Sequence, residues 1–202
     1  MRAAFGSPFC ICRKLVRPAS NSPQSEVSLE LILVHPLMLI AHLPSGYILA
    51  TLARRRVGPK PLMMAAALIG AIAPDLDMLY FHLVDGGKTH HHTFISHWPL
   101  FWLASGAVSL ALGRWLAPRY LPALGMFFAA AMLHMVLDSI AAPIFWLMPF
   151  DATPIELVKV PAVYGNWVLS FVLHWTFLLE IAICAWAGWL ALGGGCASAK
   201  TV

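Results

Sequence analysis

Two stretches of this 202-residue chain carry the residue types that do chemistry. The first runs Ala73-Pro74-Asp75-Leu76-Asp77 and continues to His90-His91-His92-Thr93-Phe94-Ile95-Ser96-His97-Trp98. The second is His134-Met135-Val136-Leu137-Asp138. Imidazole nitrogen and carboxylate oxygen are good ligands for zinc, and manganese or iron can use them too. Their spacing points to a metal site. His134 and Asp138 stand four apart, so on a helix they share a face about 6 Å apart along the axis. The other reading of that pair is a buried His–Asp hydrogen bond holding two helices together. Asp75 and Asp77 are two apart and cannot face the same way on a regular helix. Either the backbone is irregular there or only one carboxylate binds the ion, the alternative being two solvated acids at a helix end. Four histidines between His90 and His97 exceed what one small site needs. His92 and His97 form the useful pair, with His91 as alternate, against a surface histidine run as the bland reading. His42 is a lone histidine at the start of an apolar segment. Ser96 and Tyr47 are placed to hydrogen-bond the site. His174 and Glu180 are weaker candidates, and His35 and His82 read as interface residues.

The surroundings give these residues their weight. The chain is 60% hydrophobic and 11% charged, where a soluble domain carries about 25% charged residues, and its mean hydropathy is +0.76. Ionisable groups are costly to place in lipid and mark function by default. The net charge of +4 does not read as nucleic-acid binding, because the basic residues fall in loops and the N-terminal tail, where they set topology. Four cysteines, Cys10, Cys12, Cys184 and Cys196, form no disulfide framework. No Ser-His-Asp or Gly-x-Ser-x-Gly pattern, phosphate loop or dinucleotide fingerprint is present.

Five apolar segments must position the candidates: 31–53, 62–84, 98–117, 121–148 and 167–193. Each is near or above the ~20 residues that cross a bilayer core. The fold expected is all-α, an integral membrane helical bundle of about five transmembrane helices. Pro74 and Pro143 mark places where a helix kinks or ends near one membrane face. Residues 1–37 read as a disordered basic and polar tail, with Met38 as an alternative start. Residues 38–193 form the membrane domain and 194–202 a C-terminal tail. Arg54, Arg55, Arg56 and Lys60 in one loop, and Arg114 and Arg119 in another, put those loops in the cytoplasm. The N-terminus is then outside and the C-terminus inside, although the basic N-terminal tail argues the other way. In this arrangement His42, Asp75, Asp77, the His90–His97 loop, His134, Asp138 and His174 all gather in the outer half of one bundle.

Taken in order, these motifs resemble the YdjM-like family of membrane-bound metal-dependent hydrolases, some of them LexA-regulated inner-membrane proteins. The resemblance rests on Ala41-His42, Ala73-Pro74-Asp75-Leu76-Asp77, His92-x-x-x-Ser96-His97 and His134-x-x-x-Asp138. Ala142-Pro143 and Phe145-Trp146-Leu147-Met148-Pro149 follow, so about residues 38–150 are covered. No one motif is specific; their order and spacing together are. The family is distantly similar to zinc-dependent phospholipase C and the P1-type nucleases. This implies His42, Asp75, Asp77, His92, His97, His134 and Asp138 as metal candidates, and metal-assisted hydrolysis. The chain departs from the family's His-Arg-Gly-Phe-Thr-His-Ser: the arginine is missing, and Ser96 and Trp98 are replacements.

The expected function is therefore hydrolysis of a phosphoester, on a lipid or lipid-linked substrate, by metal-activated water. The cofactor is a divalent ion, zinc first, manganese or iron next, and Asp75 or Asp77 is the general base. The location is a bacterial inner membrane, with the site towards the periplasmic half. A transporter or sensor of metal is the alternative, and a structural scaffold the third. Transport calls for polar residues continuing towards the other face, and Ala129-Ala130-Ala131-Met132-Leu133 offers none. Substrate identity, ion count and oligomeric state are not written in the sequence.

Overall fold

The computed structural model describes residues 40–57, 61–86, 88–89, 91–161, 163–165 and 167–197. The expected 1–37 tail, His35, His90 and the first part of the 31–53 segment lie outside these, as does the side chain of His91. Among the described residues the fold is all-helical. Its nearest approach to a strand is a single bridge between Ile144 and Ile155.

Seven α-helices stand among the described residues: α1 (His42–Val57), α2 (Pro61–Ile72), a short α3 (Asp77–Tyr80), α4 (Pro99–Leu116), α5 (Leu121–Ala141), α6 (Trp167–Val172) and α7 (Trp175–Ala197). Each of the five apolar segments contains helix within its described residues, but three boundaries differ from expectation. The fourth ends at Ala141 rather than 148. Ala142 turns to extended backbone, as the residue before Pro143 is biased to do. The fifth is broken at Leu173-His174, and α7 runs on to Ala197, into the expected tail. The second breaks at Ala73-Pro74, where a 3-10 turn (Pro74–Leu76) follows and the axis bends by 53°. Proline has no N–H for the helical ladder and its ring crowds the preceding turn.

Two helical stretches, Pro118–Ala141 and Trp175–Gly193, are long and apolar enough to cross a membrane. The bent pair Leu62–Ile72 and Pro74–Asp85 makes a third if it counts as one span. The five-span count is thus not reached by the described helices. Within them α1 has 16 residues, about 24 Å at 1.5 Å per residue, short of the ~30 Å hydrocarbon core.

The centre of the bundle is α2 against α5. Small residues make the contact: Ala67 and Ala71 on α2, and Ala130 and Ala131 on α5, are all buried. A Cβ on Gly70 would lie 2.2 Å from the Phe127 carbonyl oxygen. The two backbones approach as closely as small-residue seams in membrane helices allow. Gly46 brings α1 equally near to Ala67 and Ala71. Tyr47, Ile48, Ala187 and Leu190 join α1 to α7, and Trp102 joins α4 to Ala131 and Met135 of α5.

The N-terminus of α1, the C-terminus of α2, the loop before α4 and the C-terminal half of α5 meet at one end of this bundle. The loop after α5 closes the same end. Leu157 and Val158 donate their N–H groups to the carbonyls of Ser139 and Ile140 at 2.9 Å, serving acceptors that a helix end leaves orphaned. The Trp146 indole donates to Ser139 Oγ at 2.8 Å.

Candidate metal centre

His134 is the residue around which the site is built. It is fully buried. Its Nδ1 lies 2.7 Å from the Ala71 carbonyl oxygen. A carbonyl only accepts, so Nδ1 carries the proton. Ala71 sits in the last turn of α2, where carbonyls have no intrahelical donor. The break at Pro74 and the glycine-tight α2–α5 seam together supply this partner. In the neutral ring Nε2 is then a bare lone pair. It faces Asp138 Oδ2 at 3.0 Å and Asp75 Oδ1 at 3.4 Å, yet is in hydrogen-bond geometry with neither. A lone pair among anionic oxygens in a buried site repels unless a cation stands between them.

His97 repeats the arrangement. It comes from the 3-10 turn Ile95–His97 and is fully buried. Its Nδ1 donates to Asp77 Oδ2 at 2.7 Å. Its Nε2 points to Asp75 Oδ1 at 3.5 Å and Asp138 Oδ2 at 3.9 Å. Burial opposes charge on this ring, but the carboxylates of Asp75 and Asp77 outweigh it and raise its pKa to about 9. His42, the first residue of α1, stacks on His134 with centroids 3.8 Å apart and sets Nε2 3.0 Å from Asp138 Oδ1. Asp138 thus sets one oxygen 3.0 Å from each of two imidazoles, those of His42 and His134. His92 is buried beside His97, ring centroids 5.0 Å apart.

Among the described residues, three sets of donors lie close enough to hold an ion: His42, His134 and Asp138; Asp75, His97 and His134; and His92, His97 and Asp138. Six of the seven residues implied as ligands fall in these sets. The seventh, Asp77, does not. It accepts from His97 Nδ1 and from the Ser96 hydroxyl, the place of a carboxylate that orients a ligating histidine. Two positions apart on backbone of helical dihedrals, the two aspartates face different ways, Asp75 towards His134 and Asp77 towards Ser96 and His97. The donor set fits a divalent ion. Bonds of about 2.0–2.2 Å meeting at tetrahedral angles put donors roughly 3.3 Å apart, and the closest pairs here are 3.0 to 3.5 Å. Buried Asp75 Oδ2 has no hydrogen-bond partner.

The loop carrying His92 and His97 is pinned by two tryptophans. Trp102 of α4 donates to the Ser96 carbonyl at 2.7 Å, and Trp98 to that of Thr93 at 3.0 Å. In the sequence, the position of Trp98 next to His97 is the signal for this pinning. Tyr47 packs on α7 instead of joining the site. His174 bonds Thr176 at the α6–α7 break, 2.9 Å away. His82 is exposed, and Cys184 points its thiol to the Ile40 carbonyl.

The class defined is a helical membrane protein with a buried histidine–aspartate cluster at one end of its bundle. Residues 37–200 match the family of YdjM inner membrane proteins, to which this chain belongs. Comparisons with curated proteins and with solved structures yield no match.

Proposed function

We propose that the cluster is the metal centre of a membrane-embedded hydrolase acting on a phosphoester of a lipid or lipid-linked substrate. The observation that carries the metal is His134: Nδ1 committed to Ala71, Nε2 bare among two carboxylates. Zinc, with manganese or iron next, suits a donor set of imidazole and carboxylate without thiolate. His42, His92, His97, His134, Asp75 and Asp138 are the donors from which its ligands would come. A divalent ion there supplies Lewis acidity and lowers the pKa of water towards ~7. Asp77 keeps His97 in the right tautomer and must stay an anion to do so. The proton-accepting role therefore falls to Asp75, whose Oδ2 has no hydrogen-bond partner.

Membership of an inner-membrane family and the apolar helices support a lipid-borne substrate. In the proposed topology α1, the bent α2 pair, α4, α5 and the α6–α7 pair make five passes. Arg54–Arg56 and Arg114 face the cytoplasm, and the site lies in the periplasmic half. Metal transport is disfavoured by the α2–α5 seam beneath the site, where the buried residues Ala67, Ala71, Ala130 and Ala131 carry no polar side chain.

The test is turnover of phospholipids and lipid phosphates by purified, metal-loaded protein in mixed micelles. Release of phosphate or headgroup that needs the metal and disappears in Asp75→Asn supports the reading. No turnover of any such ester by fully loaded protein refutes hydrolysis and leaves a non-catalytic metal protein.

A further inference from the structure

Beside the metal donors lies a cavity of about 30 Å³, lined at its polar corner by His42, Asp138, Thr176 and Glu180 and elsewhere by Ala41 and apolar side chains of α5, α6 and α7. That is room for a water molecule, and a site with several polar partners is one that water occupies. Two of its lining residues, His42 and Asp138, belong to one of the donor sets. Glu180 belongs to none, although it stands in the candidate span Trp175–Gly193. Five residues past Trp175, it sits about 8 Å along the helix from its start. Its Oε2 is buried with no hydrogen-bond partner. An ionisable side chain in an apolar span needs a compensating group, and where polar groups stand too far apart to touch, water bridges them.

We propose that this cavity is a hydrated port between α1, α5 and α7, by which water reaches the metal cluster, and that Glu180 is the positioning residue that holds the water there. This rests on the metal-centre reading but adds to it a route, and a residue on a helix that contributes no donor to the cluster. The lining contains no lysine or arginine, so the port suits water and protons rather than an anionic headgroup.

The experiment uses the full chain with Cys10, Cys12, Cys184 and Cys196 replaced by serine. Single cysteines are placed at Ile183, which lines the cavity, and at Leu178, 65% exposed on the same helix. Hydrogen peroxide, small enough to follow water into the cavity, should label Ile183→Cys by oxidising its thiol at least about tenfold faster than it labels Leu178→Cys, because a thiol reacts as its thiolate, which water supports and lipid suppresses. Adding Glu180→Leu should remove most of that difference, and Glu180→Gln, which still bonds water, should restore it. Equal labelling at the two positions overturns the port. A rate at Ile183→Cys untouched by Glu180→Leu overturns the part given to Glu180. Metal content measured on the same samples separates these failures from failure of the metal reading.

Discussion

At the scale of single residues, the site divides into side chains that face the common centre and side chains that aim them. Asp75, Asp138, His134 and His97 are of the first kind, and Asp77 is of the second. Asp77→Asn should therefore weaken metal binding about 10- to 100-fold without abolishing it, the usual cost of losing a carboxylate behind a histidine ligand. Competition with a chelator of known affinity measures this; stoichiometric loss of metal would make Asp77 a ligand instead. His97 gives a pH dependence. Its pKa in the metal-free protein is raised to about 9, so below that value a metal must displace a proton to bind. Affinity should rise with pH and level off above about 9, with protons released on binding. Flat affinity between about pH 6 and 9, with no release seen in weakly buffered solution, would contradict this. The same shift makes the metal-free fold gain stability from His97 below the ordinary histidine value and lose it as pH rises through about 9.

At the scale of elements, the geometry depends on how near α2 comes to α5. Gly70→Ala would drive a Cβ into the Phe127 carbonyl, push the helices apart and stretch the bond from His134 to Ala71. Overpacking of this kind costs about 1–3 kcal/mol, read as a lower melting temperature in detergent, with weaker metal binding alongside. Unchanged stability would mean the seam yields without strain. Trp102→Phe keeps the ring but removes the bond to Ser96, a loss of about 0.5–1.5 kcal/mol. It should loosen the His92–His97 loop, seen as faster amide exchange there. Much of this was legible in advance. The i, i+4 spacing of His134 and Asp138 needed only a helix, and Pro74 announced the break that places Asp75 and Asp77 past the end of α2. The partner of His134 was not legible, because a backbone carbonyl leaves no mark in sequence. Nor was the anchoring by Trp102, since its contact with Ser96 depends on how α4 docks. The end of α5 at Ala141 was misplaced because the apolar run continues to Met148 while the backbone turns at Ala142 and pairs Ile144 with Ile155.

At the scale of the molecule, antiparallel helices bring residues from His42 to Asp138 to one end of a small bundle in an inner-membrane protein. Composition alone gave the class, and the order of the motifs gave the family. The number of crossings was harder to read, because hydropathy does not show that α1 is short or that the chain bends by 53° after α2. Reporter fusions check the proposed orientation: a fusion within 54–60 should report cytoplasm, and one at Asp151–Thr153 periplasm. The reverse pattern would move the site to the cytoplasmic half without altering its geometry. The central claim is that the cluster exists to hold a metal ion. Its most direct test is elemental analysis of the untagged protein purified in detergent, beside His134→Ala and Asp138→Ala. The account predicts stoichiometric zinc, manganese or iron in the parent protein and its loss from both variants. Metal-free protein that takes up none of these ions, with both variants equally stable, would contradict it and leave the histidines and aspartates as groups that pack helices together.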